Sequence, residues 1–136
     1  MGKGFFNVPT PVNSPVREYR PGTPETESLL NTYKALYNSK VDVPLYIGGK
    51  YVHSNDVKEM NPPHEHKHVL GTYHRASKSH IDDAIASALE ARQAWSSMHW
   101  EQRAAIFLKC AELLEGPYRD RMNAATMLAQ SKNVNQ

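Results

Sequence analysis

The sequence predicts an α+β chain. It reads as a proline-rich arm over residues 1–23, a short helix over 24–38, a small antiparallel β-hairpin sheet within 41–75, and three helices over 79–136. Three observations predict this order. Five of the nine prolines fall within the first 24 positions; apolar residues repeat with period two from Val41 to Val52 around Gly48-Gly49; and from Ser79 the repeat lengthens to helical spacing. The first pattern implies extended backbone, the second strands, the third helices.

In the arm, the fixed φ and missing N–H of Pro9, Pro11, Pro15 and Pro21 favour an extended segment lying on the surface. Thr23-Pro24 followed by Glu25 and Glu27 is a helix start: a capping residue, proline at the first helical position, and acids near the positive dipole end. Leu29, Leu30, Tyr33, Leu36 and Tyr37 mark that helix's apolar side. From Val41, apolar Val43, Leu45 and Ile47 alternate with Asp42, Pro44 and Tyr46, and Gly48-Gly49 turns the chain into Tyr51-Val52-His53. Gly-Gly between two β-prone runs predicts a hairpin, and Pro44 predicts an edge strand because it cannot donate to a ladder. A third strand is expected at about 57–61 and a fourth at about 69–75.

Ser79, with Asp82 three residues on, resembles a capping box for the first of the last three helices. Ile81, Ala84, Ile85, Ala88, Ala91, Trp95 and Met98 then line its apolar face. The next helix is expected from 101 to 115, with Arg103, Phe107, Cys110 and Leu114 in line and Ile106 and Leu113 beside them. Gly116-Pro117 should end it and place proline at the start of a last helix, whose packed face would carry Tyr118, Met122, Ala125 and Ala129, with Leu128 adjacent.

Composition narrows the function classes. Only 26 of the 136 residues are Leu, Ile, Val or Phe, and the Ala-rich helices bury too little area to supply a large core alone. The sequence therefore reads as one that packs against something more. With 16 basic and 14 acidic residues and no Lys/Arg stripe, it does not suit a nucleic-acid surface. One cysteine, Cys110, excludes an internal disulfide framework. No stretch approaches the roughly 20 apolar residues of a membrane span. The N-terminus lacks a signal-peptide apolar core and transit-peptide character, and Phe6 stands where a myristoylation signal after Met1-Gly2 wants Ser or Thr.

The sharpest chemical candidate is Pro62-Pro63-His64-Glu65-His66-Lys67-His68. In extended backbone His64, His66 and His68 would share one side, where His53, His74 or Glu65 would complete a zinc or copper shell. Ligand geometry argues against it, because neighbouring residues of one extended segment close a tetrahedron poorly. The competing reading is a polar loop that leads into a strand. Cys110, with apolar neighbours at helical spacing, is expected in a core and not as a nucleophile. Gly2-Lys3-Gly4 and Gly48-Gly49-Lys50 lack the further glycines and the helix of a phosphate-cradling loop. Trp95 and Trp100 are expected as packing anchors. No catalytic mechanism assembles from these parts.

Taken in order, Phe5-Phe6-Asn7-Val8-Pro9, Val43-Pro44-Leu45-Tyr46-Ile47-Gly48-Gly49, Pro62-Pro63-His64 to Thr72-Tyr73-His74, and Trp100-Glu101-Gln102-Arg103-Ala104-Ala105-Ile106-Phe107-Leu108 carry a resemblance. Gly116-Pro117-Tyr118-Arg119, Asn123-Ala124-Ala125-Thr126-Met127 and Gln130-Ser131-Lys132 extend it. Together they resemble the N-terminal portion of the Δ1-pyrroline-5-carboxylate dehydrogenase family, within the aldehyde dehydrogenase superfamily. The likeness covers essentially the whole chain. It implies an incomplete N-terminal part, residues 1–136, of the dinucleotide-binding domain of an aldehyde dehydrogenase α/β fold. It implies NAD-dependent oxidation of L-glutamate γ-semialdehyde to glutamate in proline catabolism, in the mitochondrial matrix. Catalysis in that family uses a cysteine thiolate, oxyanion donors and a Glu-activated water, all in later segments.

On this resemblance the chain holds no catalytic, cofactor-binding or metal residue, Cys110 does not match the nucleophile's motif, and NAD belongs to the complete enzyme. The expected partner is the remainder of the dehydrogenase or a homo-oligomer of it, and the chain alone, a fragment or short isoform, is expected to be inactive. The alternative is a small α+β interaction or metal-binding module that uses His64, His66 and His68.

Overall fold

A computed structural model of the chain describes Asn7 and residues 9–136. The readings placed on Met1-Gly2, Gly2-Lys3-Gly4, Phe5, Phe6 and Val8 lie outside the described residues. The first helix, α1, spans Pro24–Asn38 with proline in its first turn and Glu25 and Glu27 at its positive end, as the local signals required. Thr23 occupies the N-cap in extended conformation, but its hydroxyl points backwards. It donates to the Arg20 carbonyl at 2.9 Å and lies 2.9 Å from the Thr26 hydroxyl, so it caps no helical N–H.

Five short strands follow: β1 (Val41–Val43), β2 (Leu45–Ile47), β3 (Lys50–Val52), β4 (Val57–Met60) and β5 (Gly71–His74). The Gly48-Gly49 hairpin forms as expected, with both glycines at positive φ (58° and 78°) joining antiparallel β2 and β3. The single antiparallel hairpin sheet does not. The period-two run divides at Pro44, which stands between strands and not in an edge strand. β1 goes to a separate three-stranded mixed sheet in the order β1-β5-β4, with β5 parallel to β1 and antiparallel to β4. Without an N–H, Pro44 cannot continue the ladder, so the chain changes sheets there. At the β1–β5 crossing, Gly71 adopts φ +152°, and a Cβ on it would lie 2.0 Å from the Val41 carbonyl oxygen. The parallel pairing therefore requires glycine at 71.

Three helices complete the chain: α2 (Lys78–Ser97), α3 (Trp100–Glu115) and α4 (Arg119–Gln130). The capping box on α2 is real but sits two residues before the Ser79–Asp82 pair. Ser77 accepts from the His80 N–H at 3.4 Å, while the His80 ring accepts from the Ser77 N–H at 3.2 Å. Asp82 instead takes an ion pair with Lys78 at 2.7 Å. Between α3 and α4 the chain turns through Gly116–Tyr118, and Tyr118, not Pro117, stands at the cap of α4. That helix stops at Ser131, which is left-handed (φ 54°), so 131–136 leave the helical path expected to reach 136.

The packed centre is small. Leu29 on α1 and Ala124 and Leu128 on α4 are 2%, 0% and 3% exposed, and Pro62 is the other large side chain fully enclosed. α1 and α4 lie against each other, joined at the rim by the Ser28 hydroxyl donating to Asp120 at 2.5 Å. This contact selects the 124/128 line of α4, so the expected 118/122/125/129 face stays open: Tyr118, Met122, Ala125 and Ala129 are exposed. The described part of the arm does follow the surface, where Arg119 donates to the Ser14 hydroxyl and Asn123 to Tyr19 Oη at 3.2 Å.

Neither α2 nor α3 buries a side chain. α2 rests beside the hairpin with Ile81 and Ile85 near Leu45 and Ile47, and a Cβ on Gly48 would meet the Ser87 hydroxyl at 2.6 Å. Trp95, Trp100, Ile106 and Phe107 remain exposed, Phe107 at 66%, and Cys110 is exposed as well. The expected core cysteine and tryptophan anchors are thus corrected. Helix formation needs only local hydrogen bonds, whereas burial needs a facing surface, and the described residues offer α3 little of one.

Candidate functional site

The histidine segment is not extended. It winds into two turns in which the Glu65 N–H donates to the Pro62 carbonyl and the His68 N–H to the Glu65 carbonyl, both at 3.0 Å. The Asn61 amide ties the coil by donating to the His66 and His68 carbonyls at 3.2 and 2.9 Å. A coil of this kind removes the shared side on which three imidazoles would meet. His64 Nδ1 lies 2.7 Å from the Ser131 hydroxyl, while the His68 ring stacks on Tyr37 with centroids 3.8 Å apart and planes at 2°.

His68 Nε2 donates to the Tyr37 carbonyl at 2.8 Å, satisfying one of the orphan acceptors at the end of α1. The Tyr37 hydroxyl returns a bond to Glu65 at 2.8 Å. The metal reading of His64, His66 and His68 is therefore corrected. The segment is a clamp that fixes the β4–β5 connection to the ends of α1 and α4.

The hydrogen bond to Glu65 raises the Tyr37 phenol above its ordinary 10.0, with desolvation and the Glu65 charge adding to it. A raised folded value means that this contribution to stability is full below pH 10.0 and is lost as pH rises through the folded value.

The structure assembles a different cluster. Asp42 on β1 pairs in register with Thr72 on β5, and His74 lies two residues further along β5, on the same face. His53, just past β3, approaches from the hairpin. His53 Nε2 is 3.3 Å from Asp42 Oδ2, and His74 Nε2 is 3.3 Å from Asp42 Oδ1. The two rings meet edge to face with centroids 4.8 Å apart. Thr72 donates its hydroxyl to Asp42 Oδ1 at 2.8 Å. The His74 side chain is only 7% exposed, and both the N–H and the carbonyl of Ser54 lie 2.9 Å from its Nδ1.

The Thr72 hydrogen bond holds the Asp42 carboxyl below the ordinary carboxylate range, helped by His74 and His53 and opposed by desolvation. Its stabilising contribution is thus present above the ordinary carboxylate value and lost as pH falls through the lowered one. Among the described residues this is the one group of three His, Cys, Asp or Glu side chains whose ligand atoms converge, all within 4.8 Å of one another. His53 and His74 entered the sequence reading only as outer members of the 64/66/68 shell. Asp42 was missed, because a cross-strand neighbour 30 residues away leaves no spacing signal.

Gly48 and Gly49 sit in a hairpin between antiparallel strands and feed no helix, and Gly116 follows a helix. Cys110 lies in the middle of α3 and away from any helix N-terminus.

Comparison with known proteins places the chain. The pattern described as the aldehyde dehydrogenase family matches residues 51–136. A probable delta-1-pyrroline-5-carboxylate dehydrogenase of Schizosaccharomyces pombe is 40% identical over 130 residues, covering 95% of this chain and 24% of that protein. The mitochondrial delta-1-pyrroline-5-carboxylate dehydrogenase of Homo sapiens is 36% identical over 122 residues, 90% of this chain and 22% of that protein. The crystal structure of the Mycobacterium tuberculosis Delta-pyrroline-5-carboxylate dehydrogenase superposes with a TM-score of 0.91 at 36% identity, covering 96% of this chain and 24% of that one. A second crystal structure of that enzyme, bound with NAD, gives 0.88. The chain thus spans about a quarter of the length of these relatives and matches the N-terminal part of the fold.

Proposed function

The chain belongs to the aldehyde dehydrogenase family, and from that premise we propose that it is the N-terminal part of an NAD-dependent dehydrogenase of proline catabolism. The enzyme oxidises L-glutamate γ-semialdehyde, the open form of Δ1-pyrroline-5-carboxylate, to glutamate. The observation that carries this reading is the extent of the likeness: 96% of the chain superposes on a dehydrogenase of that name with a TM-score of 0.91. The chain supplies scaffold at the edge of the dinucleotide-binding domain and no group that touches substrate. NAD serves the complete enzyme, and the relatives named as mitochondrial support a mitochondrial setting.

Two features favour the scaffold role. Gly48 and Gly49 make a hairpin turn and Gly71 a strand crossing, and the apolar sides of α2 and α3 lie open, as faces of a larger body do. The remainder of the dehydrogenase, or a homo-oligomer of it, is the partner that covers them. The test is replacement of the corresponding segment of the Mycobacterium tuberculosis enzyme by residues 1–136. NADH formation from glutamate γ-semialdehyde should persist in the chimera, while the 136-residue chain alone should give none. A folded chimera without turnover, or turnover by the isolated chain, would overturn the assignment.

A further inference from the structure

We propose that Asp42, His53 and His74 form a binding site for a divalent transition metal of the zinc class, holding together two sheets that share no hydrogen-bond ladder. The donor set is two imidazoles and one carboxylate, a combination that zinc accepts with a water as its fourth ligand. Metal–ligand bonds of about 2.0–2.2 Å at tetrahedral angles separate donor atoms by roughly 3.3–3.5 Å. Each imidazole Nε2 lies 3.3 Å from a different oxygen of Asp42, and with one donor atom taken from each residue all three lie within 4.8 Å of one another. A metal requires the donor atoms to close from within 4.8 Å to the tetrahedral spacing.

The outer contacts suit the same purpose. A metal on His74 Nε2 requires the proton on Nδ1, and the Ser54 carbonyl stands 2.9 Å from Nδ1 to accept it. Without metal, the Ser54 N–H, also at 2.9 Å, donates to Nδ1 and leaves the proton on Nε2 for Asp42. One backbone residue thus accommodates both tautomers. Thr72 fixes Asp42 Oδ1 and orients the carboxylate, leaving Oδ2 towards His53. His74 is enclosed, whereas His53 and Asp42 are about half exposed, so water reaches the fourth position from the open side.

The site links β1 and β5 of the mixed sheet to the segment leaving β3 of the hairpin. The competing location for metal in solution is the histidine segment, and a variant there separates the two. Zinc chloride is titrated calorimetrically into the metal-free 136-residue chain near neutral pH, and cobalt(II) is followed by its visible absorption. One saturable site is expected, weakened at least about tenfold by His53→Ala, since even outer partners of metal ligands carry losses of that size. Asp42→Asn should weaken it comparably, and His66→Ala should leave it unchanged. Circular dichroism of His53→Ala, altered at an exposed position, should match the parent chain. Absence of saturable binding overturns the proposal, as does equal affinity in the parent chain and His53→Ala. A loss on His66→Ala in place of His53→Ala overturns it too, by moving the metal to residues 64–68.

Discussion

Two pairs of amphipathic helices in this chain, α1 with α4 and α2 with α3, come to different ends. α1 and α4 enclose Leu29, Ala124 and Leu128 and are braced by the mixed sheet and the His64–His68 clamp. α2 and α3 are longer, at 20 and 16 residues, yet bury no side chain. The difference shows that helix formation and helix burial draw on separate sources. α2 is held by its Ser77–His80 capping box and Ala-rich composition, both local. α1 and α4 are held by a surface that each supplies to the other.

That contrast can be broken at four points, in decreasing order of effect. Gly71→Ala drives a Cβ into the Val41 backbone, which has no side-chain rotation with which to yield. The mixed sheet should separate and the cooperative urea transition disappear from circular dichroism; a transition at the parent midpoint would show that β1–β5 pairing is dispensable. Leu128→Ala should cost about 2–5 kcal/mol through lost contact and residual cavity, read from the same urea midpoint. A loss under about 1 kcal/mol would mean that the α1–α4 centre collapses without penalty. Ser77→Ala should cost about 1 kcal/mol and confine it to α2. Amide exchange should quicken at the first turn of α2 and stay constant in α1 and α4; equal acceleration in all three would make the two pairs one cooperative unit. Phe107→Ser, on the open face of α3, should change stability by no more than about 0.5 kcal/mol while reducing the binding of an apolar dye. A larger penalty would reveal packing on α3 that its 66% exposure contradicts.

Sequence reading succeeded where the determinants lie within a few residues of each other. Thr23-Pro24-Glu25 located the start of α1, and Gly48-Gly49 located the hairpin. It failed where a distant partner decides. Val43 and Leu45 continue one alternating pattern, yet belong to different sheets because β1 is claimed by β5 across 30 residues. Ala124 and Ala125 are interchangeable by composition, and only the position of α1 determines which is enclosed. Cys110 looked like a core residue because its neighbours are apolar, but that periodicity describes a face without saying whether anything covers it.

The Asp42–His53–His74 cluster was illegible for the same reason. Its three members come from the middle of β1, the residue after β3 and the end of β5, which meet only after both sheets are built. The adjacent histidines at 64, 66 and 68 were conspicuous in sequence and are scattered by two turns.

The Ser28–Asp120 contact spans 92 positions of chain, and this separation sets an order of events during synthesis. When α1 leaves the ribosome its partner has not been made, and at roughly 5–20 residues per second several seconds pass before α4 follows. Throughout that interval Leu29 has no enclosure, while the hairpin and α2 can form from neighbours alone. The most buried part of the described chain therefore closes only once α4 has been made. The long separation makes this closure costly in loop entropy, and until it happens the nascent chain needs protection at α1.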